Sequence, residues 1–351
     1  MPIPLRLRPR LRQIQRAFAG PGTLESAAAS REILCPEEKT DLNPVIFLPG
    51  QLEKVTGAPS ESTLAAEIQA MTAREVTHAP TIAYHIRNAA LLGGSVYAGR
   101  LRHFIFNDRL AAKTPPVRIE KATLASTFIG LKYFGHWLKD DCTLRLLCEQ
   151  FGIPLCIRIP THSHIAKYAD YFEQDWSTSI DNALIDHLVI AQDFGQNRSK
   201  KQRYEILRSR IRARFGDHLA RSFVYLKRGA TGASRLVYNE EVIVDALVEK
   251  GFVVLDVAAD SLEQILTILS RAKLVISMEG SHCAHCVAAL PSGGGLMLLE
   301  PANRFCANQR GWTDALSIRS GFVVGDAVGD TGFSFSVSEI VKTIDLMLKY
   351  L

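Results

Sequence analysis

The chain has 351 residues, of which 47% are hydrophobic and 22% charged, and its formal net charge is +5. This composition is typical of a globular protein with two domains, and no apolar run is long enough for a bilayer-spanning helix or a secretory signal peptide. The seven cysteines are odd in number and lie mainly among apolar residues, which predicts reduced core thiols and excludes a disulfide framework.

The first 80 residues are predicted to be a basic segment followed by loops. Residues 2–16 carry five arginines and no acid, with leucines between them. This pattern is typical of a disordered basic tail, and it also suits contact with an anionic lipid surface. Pro4 and Pro9 disfavour a helix in the segment.

Residues 81–205 read as one domain of short strands and helices. The spacing of apolar residues and glycines predicts hairpins over 89–106, strands at 124–131, 155–159 and 188–191, and a helix over 135–151. A basic helix follows between 196 and 221. Its arginines are predicted to cover solvated faces, because the aromatic interleaving and signature of an RNA-binding protein are missing.

From about residue 220 strands and helices alternate regularly. The predicted strands lie at 223–226, 252–255, 274–277, 296–299 and 322–324, and the predicted helices at 239–250, 261–270, 282–290 and 336–351. Repeated βα units predict a doubly wound, Rossmann-like parallel sheet.

The central segment of this domain is a polar turn between a strand and a helix. It contains Glu279, Gly280, Ser281 and His282, and Glu300 stands at the end of the next strand. Unpaired N–H groups at such a turn are suited to a phosphate, although any α/β protein has a turn of this kind.

Cationic side chains stand at the same predicted edge of the sheet. Arg228 follows the strand at 223–226, and Arg235 follows a loop rich in glycine and alanine. Arginine binds phosphate oxygens in a bidentate manner, so we expect these side chains to face a phosphate-bearing ligand.

Two further groups are candidates for chemistry. His136 and Asp140 are four residues apart on one helical face, where either side chain is suited to accept a proton or to cap the helix. Cys283 and Cys286 have CxxC spacing, but a zinc site needs a second such pair, which is missing, and we expect both thiols to pack as apolar groups. His285 between them is a candidate to point into a cleft.

Together these stretches resemble glycosyltransferase family 61. The resemblance covers most of the chain from about residue 89 and rests on several short motifs that occur in the same order as in the family. These motifs are GGSVY at 93–97, GHWLKD at 135–140, KR at 227–228 with Arg235 and Asn239-Glu240, a block at 251–272, and EGSH at 279–282 followed by EP at 300–301. The turn departs from the family pattern, since Glu279 replaces the usual first histidine and His282 the second glycine.

The resemblance implies a GT-B-like α/β fold in which two Rossmann-like domains face a cleft. The implied organisation is a basic segment and loops at 1–80, an acceptor-side domain at 81–205, a nucleotide-sugar-binding domain at 206–335, and a final helix at 336–351 that crosses back to the first domain. The resemblance also implies an inverting transferase that uses a UDP-sugar and a glycan or lipid-linked acceptor in capsule, O-antigen or exopolysaccharide synthesis.

In this interpretation Asp140 is the base, with His136 as the next choice or as the group that orients Asp140. Arg228 and Arg235 stabilise the leaving diphosphate, the residues from Glu279 to His282 and His285 line the donor site, and Glu300 binds the ribose. We expect no essential metal, no cofactor and no nucleic-acid partner, and a bacterial cytoplasmic protein with a candidate contact to the anionic inner membrane through its N-terminus.

Two alternatives come from other classes. The substitutions at Glu279 and His282 would also suit a catalytically inactive sugar-nucleotide-binding or assembly protein on the same fold. A nicotinamide-dependent dehydrogenase ranks lower, because a GxGxxG sequence at the start of a βαβ unit is missing.

Overall fold

The computed structural model describes residues 21–107, 115–157, 164–176, 180–216, 220–229, 235–329 and 332–351. The basic segment 2–16 lies outside the described residues, and so does Ser234, which precedes Arg235 in the predicted loop. The described residues form two compact units, one from segments 21–37, 79–165 and 174–195 and the other from 38–78, 166–173 and 196–351.

The strands of the described residues are β1 Ser30–Cys35, β2 Glu38–Asp41, β3 Glu75–His78, β4 Thr81–Leu92, β5 Ser95–Ala98, β6 Leu101–Phe104, β7 Val117–Leu124, β8 Ile153–Leu155, β9 Ala183–Gln192, β10 Ser222–Lys227, β11 Leu236–Val237, β12 Phe252–Asp256, β13 Ala272–Met278, β14 Gly295–Pro301, β15 Arg319–Val328 and β16 Gly332–Ser334.

The α-helices are α1 Leu24–Ala27, α2 Leu64–Thr72, α3 Phe128–Lys132, α4 Phe134–His136, α5 Cys142–Cys148, α6 Ile165–Tyr171, α7 Arg198–Phe215, α8 Glu240–Glu249, α9 Leu262–Leu269, α10 His285–Ala289, α11 Arg310–Ala315 and α12 Val337–Leu348. A π-helical turn joins α4 to α5 at Trp137–Asp141, and 3₁₀ turns lie at Leu52–Lys54, Ser281–Ala284, Ala302–Arg304 and Ala307–Gln309.

The first unit is built on a mixed sheet with the strand order β6-β5-β4-β9-β7-β8, and β1 pairs with β4. The predicted hairpins are confirmed, since β4, β5 and β6 pair in sequence as antiparallel neighbours. Side chains such as Ile86, Leu91 and Leu188 form its core. β7 lies parallel to both β8 and β9, so the sheet is antiparallel at one end and parallel at the other.

The strand predicted at 124–131 is wrong. β7 ends at Leu124, and the Thr127 hydroxyl accepts a hydrogen bond from the Gly130 amide, which starts α3. A threonine at this position satisfies a free helical N–H, so an N-cap overrides the β propensity of the flanking residues. The helix predicted at 135–151 lies in the right place, but it is divided by the π-helical turn.

The second unit contains the predicted parallel sheet, in the order β11-β16-β15-β14-β13-β10-β12. All neighbours from β12 to β15 are parallel, and only β16 runs antiparallel to β15 among the described strands of this sheet. The final helix α12 packs its Ile340, Ile344 and Met347 into the core of this sheet. The α/β class is therefore confirmed.

The basic helix α7 differs from its predicted solvated form. Tyr204, Leu207 and Ile211 are buried as its apolar stripe predicts, but the side chains of Arg203 and Arg208 are buried as well. Among the described residues, no helix combines the length and the apolar character that a bilayer-spanning segment needs.

Candidate functional site

The strand order of the second unit defines one crevice at the sheet edge. In the series β12-β10-β13-β14-β15 the chain runs outward from β10 to β12 and in the opposite direction from β13 to β14. Helices therefore leave the carboxyl ends of β10 and β13 in opposite directions, and open α/β sheets bind ligands at such a switch point. Arg228 follows β10 here, and Glu279 and Gly280 follow β13.

Three arginine side chains converge on Glu279 at this position. The Nη1 atom of Arg228 donates to the Glu279 carbonyl oxygen at 2.9 Å, and Nη1 of Arg235 donates to the same oxygen at 2.5 Å. Arg235 also forms an ion pair with the Glu279 carboxylate, and Arg304 Nη1 lies 3.5 Å from Oε2 of that carboxylate. Only 9% of the Arg235 side chain and 5% of the Glu279 side chain are exposed, so water screens this pair weakly.

The carboxyl group of Glu300 lies close to this cluster. Glu300 is fully buried in β14, its Oε2 atom accepts the Cys306 amide at 3.3 Å, and its Oε1 atom has no hydrogen-bond partner in the structure. Burial and the neighbouring charge of Glu279 raise the pKa of Glu300 well above its usual value. Burial thus disfavours the charged form of Glu300, while the Glu279 carboxylate pairs with the arginines.

Gly280 allows an arginine to approach the turn. A Cβ atom at this position would lie 2.5 Å from Nη1 of Arg228 and 3.0 Å from Nδ1 of His282. Any other residue would therefore displace the Arg228 guanidinium. Ser281, which is partly exposed, follows as the first residue of the 3₁₀ turn at Ser281–Ala284.

The hydrogen bonds of His282 fix its tautomer. Ser277 Oγ donates to the Leu226 carbonyl at 2.7 Å, so the 2.7 Å contact between Ser277 Oγ and His282 Nε2 requires Nε2 to carry the proton. Burial and then the charge of Arg228 lower the pKa of His282 well below 6.5. His282 is therefore neutral, and its Nδ1 lone pair faces the Gly280 turn.

His285 is not exposed at this crevice. Its ring is buried, stacks on Tyr168 with 5.7 Å between the ring centroids, and places Nδ1 at 2.7 Å from the Tyr168 hydroxyl. Cys283 and Cys286 are fully buried, and burial raises the pKa of the Cys283 thiol to about 12. Among the described residues no group of three or more His, Cys, Asp or Glu side chains is arranged to hold a metal ion.

The first unit contains the His136–Asp140 pair. Nδ1 of His136 lies 2.7 Å from Oδ2 of Asp140, and 23% and 18% of the two side chains are exposed. Asp140 lies in the π-helical turn, in which the Cys142 amide donates to the Trp137 carbonyl five residues earlier. A single π turn inside an α-helix is often found at a functional site because it redirects side chains.

Asp141 has different contacts from its neighbour. It is fully buried, its Oδ1 accepts the Thr127 hydroxyl at 2.6 Å, and its Oδ2 accepts the Thr127 amide at 3.3 Å. A Cβ atom on Gly130 would lie 2.1 Å from Oδ2 of Asp141, so a glycine is needed for this close approach. The carboxylate of Asp141 thus fixes the start of α3 to the π-helical turn, while Asp140 faces the surface.

Sequence reasoning missed Arg304 and Ser277. Arg304 follows β14 as Arg228 follows β10, so the rule that ligands bind at the carboxyl edge of the sheet would have identified it. Ser277 lies within an apolar strand, and the sequence carries no signal for its contact with His282.

A switch-point crevice lined by arginines has the charge and geometry that suit a phosphate-bearing or other anionic ligand. Residues 134–296 match the family described as Glycosyltransferase 61, and this segment includes His136, Asp140, Arg228 and the turn at Gly280. Over this segment the chain is similar to glycosyltransferase family 61, and the resemblance drawn from the motifs is confirmed there. The family is one of glycosyltransferases.

Comparisons of the whole chain add little to this assignment. No curated protein matches the sequence. One similar solved structure is the crystal structure of the flavodiiron protein from Giardia intestinalis, with 10% identity over 53% of this chain and a TM-score of 0.23. The match spans 47% of that protein's chain, and a similarity this low carries no conclusion about fold or function.

Proposed function

We propose that this protein is an inverting glycosyltransferase of the GT-B type. It transfers a sugar from a nucleoside diphosphate-sugar donor, in the first place a UDP-sugar, to a hydroxyl of a glycan or lipid-linked acceptor. The product belongs to capsule, O-antigen or exopolysaccharide synthesis. The observation that carries the proposal is the cluster of Arg228, Arg235 and Arg304 at the switch point of the sheet in the second unit. Strands β10, β12 and β13 of this sheet lie in the segment that matches family 61.

The charges of the cluster suit a diphosphate. Glu279 and Glu300 together offset at most two of the three arginine charges, so a positive excess remains at the crevice. The Glu279 carboxylate pairs with Arg235 and Arg304, and an incoming phosphate competes with it for their N–H groups. Phosphate oxygens take the same bidentate arginine geometry as a carboxylate. In this proposal the buried side chains of His285 and Glu300 belong to the donor site, and Glu300 binds the ribose.

The acceptor is assigned to the first unit and the donor to the second. Asp140 takes the proton of the acceptor hydroxyl as its oxygen bonds to the anomeric carbon, while the bond from that carbon to the diphosphate oxygen breaks. His136 donates from Nδ1 to Asp140 and orients it, and the arginines stabilise the charge on the leaving diphosphate. The mechanism uses no metal and no cofactor.

The proposal includes a bacterial cytoplasmic location with peripheral contact to the inner membrane through residues 2–16. The cysteines of the chain are buried and form no disulfide, which is consistent with a reducing compartment.

Calorimetry of the full chain with UDP, GDP and CMP, with and without EDTA, tests the donor site. We expect one nucleotide to bind with the same affinity in EDTA, and Arg228→Ala to weaken it by about tenfold or more, since a charge-assisted contact is lost. Arg212→Ala, at an exposed position of α7, is the matched control and should bind as the wild type does. If no nucleotide binds, or if Arg228→Ala retains full affinity and turnover, the assignment is wrong.

The second candidate is a sugar-nucleotide-binding or assembly protein without catalysis. It is favoured by Glu279 and His282, which replace the usual turn residues, and by the ion pair that occupies Arg235. Nucleotide binding that depends on Arg228, without transfer or hydrolysis of any bound sugar nucleotide, would support this candidate.

A further inference from the structure

The helix α3 of the first unit exposes part of its apolar surface. Leu131 packs against the core, whereas Phe128 and Ile129 are 45% and 36% exposed. Tyr133 at its end is 38% exposed, and Phe104 of β6 is 43% exposed. We call the three rings of Phe104, Phe128 and Tyr133 the aromatic platform. A contiguous exposed apolar patch of this kind is typical of a binding surface.

The platform is continuous and reaches the candidate base. The rings of Phe104 and Phe128 are 5.7 Å apart between centroids, and the Tyr133 ring lies 6.0 Å from the ring of His136. Lys132 bridges the two parts, since its Nζ lies 6.0 Å from the Phe128 centroid and 4.8 Å from that of Tyr133. An occupant of the platform therefore lies beside the His136–Asp140 pair.

Two cations lie over the rings. Besides Lys132, the guanidinium carbon of Arg102 is 5.6 Å from the centroid of Phe104. The faces of aromatic rings carry negative potential and attract cations, and they attract the polarised C–H groups of a sugar ring for the same reason. These two positive charges beside the rings complement a negative group on the occupant.

We propose that the aromatic platform binds the acceptor, and that the acceptor is a saccharide with an acidic group. The sugar ring stacks on Phe128 and Tyr133, its acidic group faces Lys132 and Arg102, and its free hydroxyl points to Asp140. The platform rings are about half covered by the protein and lie beside two cations, a combination that suits a sugar ring with an acidic group. The role of the platform as an acceptor site rests on the proposed function.

The test measures retention of the full chain on immobilised oligogalacturonates, on glucuronate-containing oligosaccharides, and on the methyl esters of both. The esters keep the sugar rings and remove the charge. The variants are Phe128→Ala combined with Tyr133→Ala, and Lys132→Ala alone. Phe194→Ala is the matched control, because Phe194 is a 72% exposed phenylalanine of the same unit outside the platform.

We expect the wild type and Phe194→Ala to bind at least one acidic oligosaccharide and to prefer it over its ester. The double variant should bind about tenfold more weakly, and Lys132→Ala should lose the preference for the acid over the ester. Thermal unfolding of the variants should match the wild type, since the substituted side chains are exposed.

Three outcomes would overturn the inference. These are retention of no acidic oligosaccharide, equal retention by the double variant, and platform-dependent binding to phosphatidylglycerol vesicles in place of oligosaccharides, which would assign the platform to a membrane surface. Nucleotide calorimetry on the same variants separates this inference from the proposed function. Nucleotide binding without saccharide binding contradicts the platform alone, and saccharide binding without nucleotide binding contradicts the donor site alone.

Discussion

Neighbouring carboxylates in this chain serve different purposes because of their contacts. Asp140 and Asp141 are adjacent in the sequence, yet Asp140 pairs with His136 near the surface and Asp141 is buried against Thr127. In the same way, the Glu279 carboxylate forms ion pairs with arginines, while Glu300 is fully buried and its pKa is raised by burial. The sequence shows four acids of similar chemistry, and only their surroundings separate them.

Replacement of each aspartate by asparagine should separate catalysis from stability. Asp140→Asn should lower turnover by roughly 10²–10⁴-fold, as expected for loss of a general base, with little change in the free energy of unfolding. Asp141→Asn should lower the free energy of unfolding by about 2 kcal/mol, because an amide group replaces an acceptor of two buried hydrogen bonds. Turnover and urea denaturation measure the two effects, and a more stable Asp141→Asn than Asp140→Asn would contradict the assignment.

Glu300 should make stability depend on pH. Its folded-state pKa is raised above the usual 4.5 by burial and Glu279, so its contribution is fully present below that pH and is lost as the pH rises towards the folded pKa. Glu300→Gln is neutral at every pH. Its free energy of unfolding should therefore rise relative to the wild type as the pH increases from about 4.5 to 8.

Glu263→Gln is the control for this experiment. Hydrogen bonds from Lys167 and Tyr171 lower the pKa of Glu263 to about 2, so its contribution is present above pH 4.5 and is lost as the pH falls from 4.5 towards 2. The Glu263→Gln difference should thus stay constant between pH 5 and 8. A constant Glu300→Gln difference over the same range would show that Glu300 titrates normally.

At the scale of elements, the regular alternation of β10 to β15 with helices was predictable from short apolar runs and caps. The N-cap at Ser261 is an example, since its hydroxyl accepts a hydrogen bond from the Gln264 amide. The buried arginines of α7 were not predictable. Arg208 donates from Nη1 to the Val287 carbonyl and from Nη2 to the Leu290 carbonyl, both at 2.7 Å, and these partners lie about 80 residues further along the chain.

Arg208 should stabilise the helix that follows the glycine turn. It satisfies carbonyl groups at the end of α10 and keeps its charge although burial lowers its pKa to about 10. Arg208→Ala should lower the free energy of unfolding by about 3 kcal/mol, since two buried charge-assisted hydrogen bonds are lost. Arg212→Ala removes an exposed ion pair with Glu205 and should cost less than about 1 kcal/mol. Equal costs in urea denaturation would contradict this role.

At the scale of the whole molecule, each compact unit is assembled from three separate segments of the chain. The segment 38–78, which reads as loops in the sequence, belongs to the same unit as the sheet that starts with β10. Its Ile46 exchanges backbone hydrogen bonds with β15, at Ser320 and Phe322. Contacts of this kind connect residues far apart in the sequence and leave no local pattern.

All seven cysteines are buried and none forms a disulfide, which leads to a prediction for the whole chain. A thiol reagent such as DTNB should titrate no cysteine rapidly in the native protein and all seven in denaturant. Burial raises the pKa of thiols such as Cys156, to about 11, and so lowers their thiolate fraction. Native-state reaction should be roughly 10³-fold slower than in denaturant, since it requires transient opening. A fast native thiol would contradict the burial of that residue.

The sequence by itself determined the α/β class, the order of most strands and helices in the second unit, and the resemblance to glycosyltransferase family 61, because these depend on local periodicity, caps and short motifs. It also indicated Arg228 through its position after a strand and Arg235 through the loop that follows. The tertiary structure decided which glutamate is fully buried, which aspartate is buried, that Arg304 joins the arginine cluster, and that α3 exposes Phe128. Charge state and exposure are set by neighbours that folding brings together from distant segments, so they cannot be read from local sequence.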